Sequence, residues 1–174
     1  MKKIEDYIES ICDFPKKGII FRDVTSLLKD KDGLKLAIDK IQDLIGKEDF
    51  DVVVAPESRG FLFGMPIAYN LNKSFVPVRK KGKLPRETIS QDYDLEYSSA
   101  TLQMHSDSIK RGQKVIIIDD LIATGGTIDA IVKMVRNLGG NVVGVYCLIE
   151  LIDLKAREKL DGITVKSCVT YKGE

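Results

Sequence analysis

The chain has 174 residues and carries 27 Lys and Arg against 26 Asp and Glu, a formal net charge of +1; that length supports one domain with a real core, and that charge excludes an overall field drawing it to nucleic acid or an anionic membrane. Cys12, Cys147 and Cys168 are odd in number, widely spaced and without a histidine cluster, which argues against zinc and against a secreted disulfide framework. The amino terminus MKKIEDYIES places Glu5, Asp6 and Glu9 where a signal peptide needs apolar residues, and no apolar run is long enough to span a bilayer, so a soluble, cytoplasmic protein is expected.

In chain order, apolar residues at helical spacing predict a helix over 2–11. FPKKGIIFRDVTSLL, residues 14–28, sets Ile19 and Ile20 between Gly18 and the charged pair Arg22-Asp23 and reads as an edge strand. Leu34, Ile38, Ile41 and Ile45 predict a second helix. Strands are expected at 51–55, 75–78, 100–104, 115–118, 142–149 and 164–165; most of these runs are continuously apolar, as in strands buried on both faces of a parallel sheet. Helices are expected at 60–71 and 127–138, the second with Ile128, Ile131, Val132, Val135 and Leu138 on one stripe and Gly139-Gly140 as its stop. The alternation predicts a single α/β domain, a mainly parallel sheet flanked by helices.

VIIIDDLIATGGT, residues 115–127, carries the chemistry. In such sheets ligands sit beyond the carboxyl ends of the strands, where Asp119 and Asp120 fall. The small residues Ala123, Thr124, Gly125, Gly126 and Thr127 open a helix, so backbone N–H groups and hydroxyls there suit a phosphate. Two carboxylates beside a phosphate nest must address another part of the ligand, such as a diol or a hydrated divalent cation. A plain strand-turn-helix with solvated aspartates is the alternative. There is no P-loop lysine and no G-x-G-x-x-G.

This stretch resembles the phosphoribosyl pyrophosphate (PRPP) motif of the type I phosphoribosyltransferases. The resemblance implies that fold, with an N-terminal hood (about residues 1–30) over the base site and a flexible lid loop (about 79–98). It implies that Asp119 and Asp120 hold the ribose hydroxyls and, mainly through PRPP and water, Mg²⁺, while 123–127 cradle the 5′-phosphate. DVVVAPESRGFLFG, residues 51–64, resembles the pyrophosphate loop of the adenine phosphoribosyltransferases, which implies diphosphate binding by Glu57, Ser58, Arg59 and Gly60 and a strained or cis peptide near Glu57-Ser58. By itself Arg59 also reads as a surface ion pair.

RKKGKLPRETISQDYDLE, residues 79–96, is basic at first and acidic later, and reads as a solvated hairpin or as a functional loop. It resembles that family's catalytic lid, implying diphosphate contacts from Arg79, Lys80 and Lys83 and a catalytic Glu96. Residues 14–28 resemble its adenine hood, with Ile20, Phe21 and Arg22 reading the base and Leu151 offering it an apolar face. His105 reads as structural. Together the motifs imply transfer of the 5-phosphoribosyl group from PRPP to adenine, giving AMP and pyrophosphate, by a homodimer with no nucleic-acid or membrane partner. An oxopurine transferase and a PRPP-sensing regulator are the rivals; the regulator lacks a helix-turn-helix segment or a basic surplus in this sequence.

Overall fold

A computed structural model describes residues 2–95 and 98–172. The chain opens with a 3₁₀ turn (Ile4–Tyr7), β1 (Glu9–Cys12), β2 (Ile20–Asp23) and α1 (Val24–Leu28). There follow α2 (Lys31–Ile45), β3 (Val52–Pro56), α3 (Arg59–Asn70), β4 (Ser74–Lys80), β5 (Thr88–Leu95) and β6 (Ser98–His105). The last part comprises β7 (Lys114–Ile122), α4 (Gly126–Asn137), β8 (Asn141–Leu151), a 3₁₀ turn (Ile152–Leu154), α5 (Ala156–Lys159) and β9 (Val165–Tyr171).

Seven strands form one sheet in the order β5-β6-β4-β3-β7-β8-β9. β4, β3, β7, β8 and β9 run parallel, while β6 pairs antiparallel with both β4 and β5. Alternation along β7 explains why its apolar run is unbroken: Val115 and Ile117 pack into the core shared with α4, and Ile116 and Ile118 into the core shared with α2 and α3. Asp30 caps α2, its carboxylate accepting the N–H groups of Asp32 at 2.8 Å and Gly33 at 3.1 Å.

Several expectations need correction. Residues 2–11 are a 3₁₀ turn and a strand rather than a helix: Ile4 and Ile8 are buried, but β1 pairs with β2 as a separate two-stranded sheet. Residues 24–28, read within an edge strand, are helical, because the Asp23 carboxylate accepts the Thr25 N–H at 2.8 Å and caps α1. Residues 88–95 of the long polar segment are a strand of the main sheet. Its polar residues disguise an alternation in which Ile89 and Tyr93 pack on the core. β7 and β8 also run past their apolar stretches, so Asp119, Asp120 and Leu151 lie within strands.

Candidate active site

Asp119 and Asp120 are carried by β7, the middle one of the five parallel strands, with Asp119 in register with Cys147 of β8. Their exposures are 8% and 4%, so two carboxyl groups occupy ground where an apolar side chain would be expected. Asp119 Oδ1 accepts the backbone N–H of Asp120 at 2.8 Å. Burial, reinforced by the adjacent Asp120 carboxylate, holds Asp119 well above the usual carboxylate range. Arg59 Nε lies 2.9 Å from Asp120 Oδ2, yet that oxygen has no partner of hydrogen-bond geometry. A charged acceptor is thus neutralised in part and left with capacity for a ligand. Gly60 is required by the same packing: a Cβ there would meet Pro56 Cδ at 2.9 Å and Asp119 Oδ1 at 3.0 Å.

Two cavities of about 190 Å³ each meet at this strand end. The first is floored by Ala123, Thr124, Gly125, Gly126 and Thr127. Gly125 stands at the start of α4 with φ 80°, and no side chain caps the helix, so the first amides of a three-turn helix face the cavity without a competing acceptor. The second is lined by Glu57, Arg59, Lys80, Asp119 and Asp120 among others. The cations line the second cavity and the helix start floors the first, with Asp119 lining both, an arrangement suited to a diol carrying anionic groups at both ends.

The Glu57–Ser58 peptide is cis. Glu57 lines the second cavity with its polar groups engaged by protein: its N–H donates to the Val78 carbonyl at 2.9 Å, and its carboxylate accepts Arg79 Nε at 2.9 Å and the Lys80 N–H at 3.0 Å. It ties the loop to the end of β4. Arg79 is thereby held by Glu57, and Lys83 lies on an exposed turn, its carbonyl 3.5 Å from Arg79 Nη1; neither lines the two cavities, whereas Lys80 does. Glu96 lies outside the described residues. His105 is half-buried, its Nδ1 3.2 Å from the Glu87 carbonyl just before β5, which fits a structural role.

The hood approaches from the other side. Ile20, Phe21 and Arg22 form β2, and the Phe21 ring centre is 5.7 Å from the Arg59 guanidinium. Arg22 lies over the Tyr171 ring at 4.0 Å, and Tyr171 is the β9 partner of Leu151, so the hood and the proposed purine face meet through it. Two residues thus join the site beyond those its motifs name. Tyr93 lines both cavities from β5, and the signal for it is the alternation Ile89, Gln91, Tyr93. Tyr171 carries no local signal, since only sheet register brings it to Leu151.

A strand-end carboxylate pair between an uncapped helix start and an arginine loop, on this sheet order, defines a phosphoribosyltransferase. The family model described as "Phosphoribosyl transferase domain" matches residues 23–173, and the chain belongs to that family. Among its relatives, adenine phosphoribosyltransferase of Lachnoclostridium phytofermentans is 63% identical over 174 residues, covering 100% of both chains. The crystal structure of adenine phosphoribosyltransferase from Thermoanaerobacter pseudethanolicus matches with TM-score 0.94 and 49% identity, over 97% of this chain and 98% of that one. The Saccharomyces cerevisiae enzyme, crystallised with an imino-altritol bisphosphate and adenine, matches with TM-score 0.89 and 35% identity, over 95% and 96%.

Proposed function

We infer that the protein transfers the 5-phosphoribosyl group of PRPP to N9 of adenine, releasing pyrophosphate and forming AMP, a purine salvage reaction. The observation that carries the reading is the buried Asp119-Asp120 pair set between the α4 helix start and the Arg59 loop. It gives one site for a ribose with a phosphate at one end and a diphosphate at the other.

In this reading the N–H groups and hydroxyls of 123–127 hold the 5′-phosphate, and Asp119 and Asp120 orient the ribose hydroxyls. N9 attacks C1′ as the bond from C1′ to the diphosphate oxygen breaks, through a state with cationic character on the ribose. Arg59 and Lys80 offset the charge that builds on the leaving diphosphate. Glu96 takes the proton from N7, so the purine leaves the step neutral. No cluster of three or more metal-ligating side chains occurs among the described residues, and the Asp120 oxygen without a hydrogen-bond partner fits a hydrated ion better than a directly bound one. Mg²⁺, held through PRPP and water beside Asp119 and Asp120, supplies further charge neutralisation at the diphosphate.

The base choice falls to the hood. Adenine offers an amino donor at C6 and an acceptor at N1, and oxopurines present the reverse. Backbone groups around Ile20 and Arg22 that match adenine are left unpaired against an oxopurine. The whole chain acts as one domain, with residues of about 1–30 as hood and about 79–98 as lid. Exposed Leu62, Met65 and Tyr69, on α3 at helical spacing, support a homodimer. Balanced charge supports small-molecule partners only, and no described helix is long and apolar enough to cross a membrane; the cytoplasm is the proposed compartment.

The test supplies Mg²⁺ and PRPP with adenine, hypoxanthine, guanine or xanthine in turn and follows nucleotide and pyrophosphate. AMP from adenine alone is expected. Turnover of an oxopurine overturns the base assignment, and binding without turnover of any base favours a PRPP sensor.

A further inference from the structure

Glu150 has no part in the steps above, yet it is an acid at 2% exposure near the carboxyl end of β8. A carboxylate at that depth is costly unless paired. Arg157 Nε donates to its Oε1 at 2.7 Å and Arg157 Nη2 to its Oε2 at 2.8 Å, a two-point fork, and Ser167 Oγ of β9 donates to Oε2 at 2.8 Å. The Arg157 hydrogen bonds hold the Glu150 carboxyl below its ordinary value despite burial.

The fork closes the chain between positions 150 and 157, and the closed segment touches both halves of the site. At one end is Leu151, the purine face, paired with Tyr171 under the hood Arg22. At the other is Ala156, 3% exposed, whose Cβ lies 3.1 Å from where a Cβ on Gly125 would fall. Between them the chain makes a 3₁₀ turn and passes through Lys155 at φ 54°, a left-handed conformation that a side chain adopts only under constraint from its surroundings. The turn does not choose that path by itself; the fork and the seat of Ala156 against Gly125 hold it.

We propose that Glu150 and Arg157 are positioning residues that set the span between the purine face at Leu151 and the 5′-phosphate cradle at Gly125. Neither touches substrate. Their effect falls on ligands that carry base and phosphate on one ribose, because only these must satisfy both walls at once. The inference rests on the functional reading above and deepens it.

The test is calorimetric binding of AMP and of ribose 5-phosphate to the full chain, with melting curves, for the unaltered protein, Arg157→Met and Arg157→Lys. The Arg157 side chain is 55% exposed, so both variants are open to repacking at the surface. Arg157→Met is expected to weaken AMP about tenfold and ribose 5-phosphate less than about threefold. Arg157→Lys is expected to fall between, since a lysine supplies the charge without the fork. If Arg157→Met does not fold, the same ratio in Arg157→Lys decides. Equal weakening of both ligands, or of neither, overturns the proposal, because a merely structural clamp would not separate them. Failure of the unaltered protein to bind AMP would instead overturn the functional reading, and this inference with it.

Discussion

In the proposed function the phosphate cradle and the hood solve the same problem, holding part of a nucleotide, with opposite means. The cradle grows out of a deeply buried strand: Val115, Ile116, Ile117 and Ile118 are fully buried, and α4 follows with its own buried stripe. The hood is a two-stranded sheet apart from the main one, with β1 exposed throughout and β2 half-buried. It is pinned by few contacts. Ser26 Oγ accepts the Glu9 N–H at 2.9 Å and lies 2.7 Å from the carbonyls of both Tyr7 and Asp23, and Arg22 lies over Tyr171. Core packing fixes the phosphate end to a tolerance that loop mutations cannot easily relax, whereas the base end depends on individual pins.

The largest effect tests the charge side of the cradle. Arg59→Ala removes the cation proposed for the diphosphate and leaves Asp120 buried beside a second carboxyl group; kcat/KM is expected to fall by about 10²–10³, as for loss of one charge-stabilising donor. Steady-state kinetics in both directions check it, and a loss under threefold would remove Arg59 from the machinery.

Next comes Gly125→Ala. A side chain at φ 80° is strained, and its Cβ would press on Ala156 at 3.1–3.2 Å. A destabilisation of about 1–2 kcal/mol is expected by thermal melting. KM for PRPP should rise while KM for adenine holds; a rise in the adenine KM alone would break the contrast between the two ends. Arg22→Ala tests the reverse. Losing the contact with Tyr171 is expected to raise KM for adenine several-fold, on the order of 1 kcal/mol, with PRPP unchanged.

The smallest effect is in pH. Glu150 has a folded pKa below its ordinary value of 4.5, chiefly through the Arg157 hydrogen bonds. Its contribution is therefore present above about pH 4.5 and is lost as pH falls through the lowered folded value. Melting temperature measured down through that window should drop more steeply for the unaltered protein than for Glu150→Gln. Parallel curves would show that the fork carries no linked stability.

Much of the phosphate end was legible because its signals are local. A β-branched run, two acids, small residues and an amphipathic stripe follow one another within residues 115–138, and each constrains only its neighbours. Boundaries were less legible: β7 extends through two carboxylates because hydrogen bonding to β8 continues where apolar character stops. The hood was misread at residues 2–11, since apolar spacing alone does not distinguish a helix from a turn whose Ile4, Tyr7 and Ile8 reach the core ahead of an exposed strand. The lid segment hid β5 because most of its residues are polar, and pairing with β6 supplies what composition does not.

By itself, then, the sequence determined the α/β class, the order of the motifs and the chemical types that a ribose bisphosphate requires, since these rest on spacing along one chain. Only the tertiary structure decided that Glu57 is held by Arg79 and Lys80, that Tyr93 lines both cavities, that Tyr171 joins the hood to Leu151, and that Glu150 and Arg157 close the segment between Leu151 and Ala156. Those contacts join residues on different elements, and which side chains meet there is set by strand register and helix packing, quantities that no local stretch encodes.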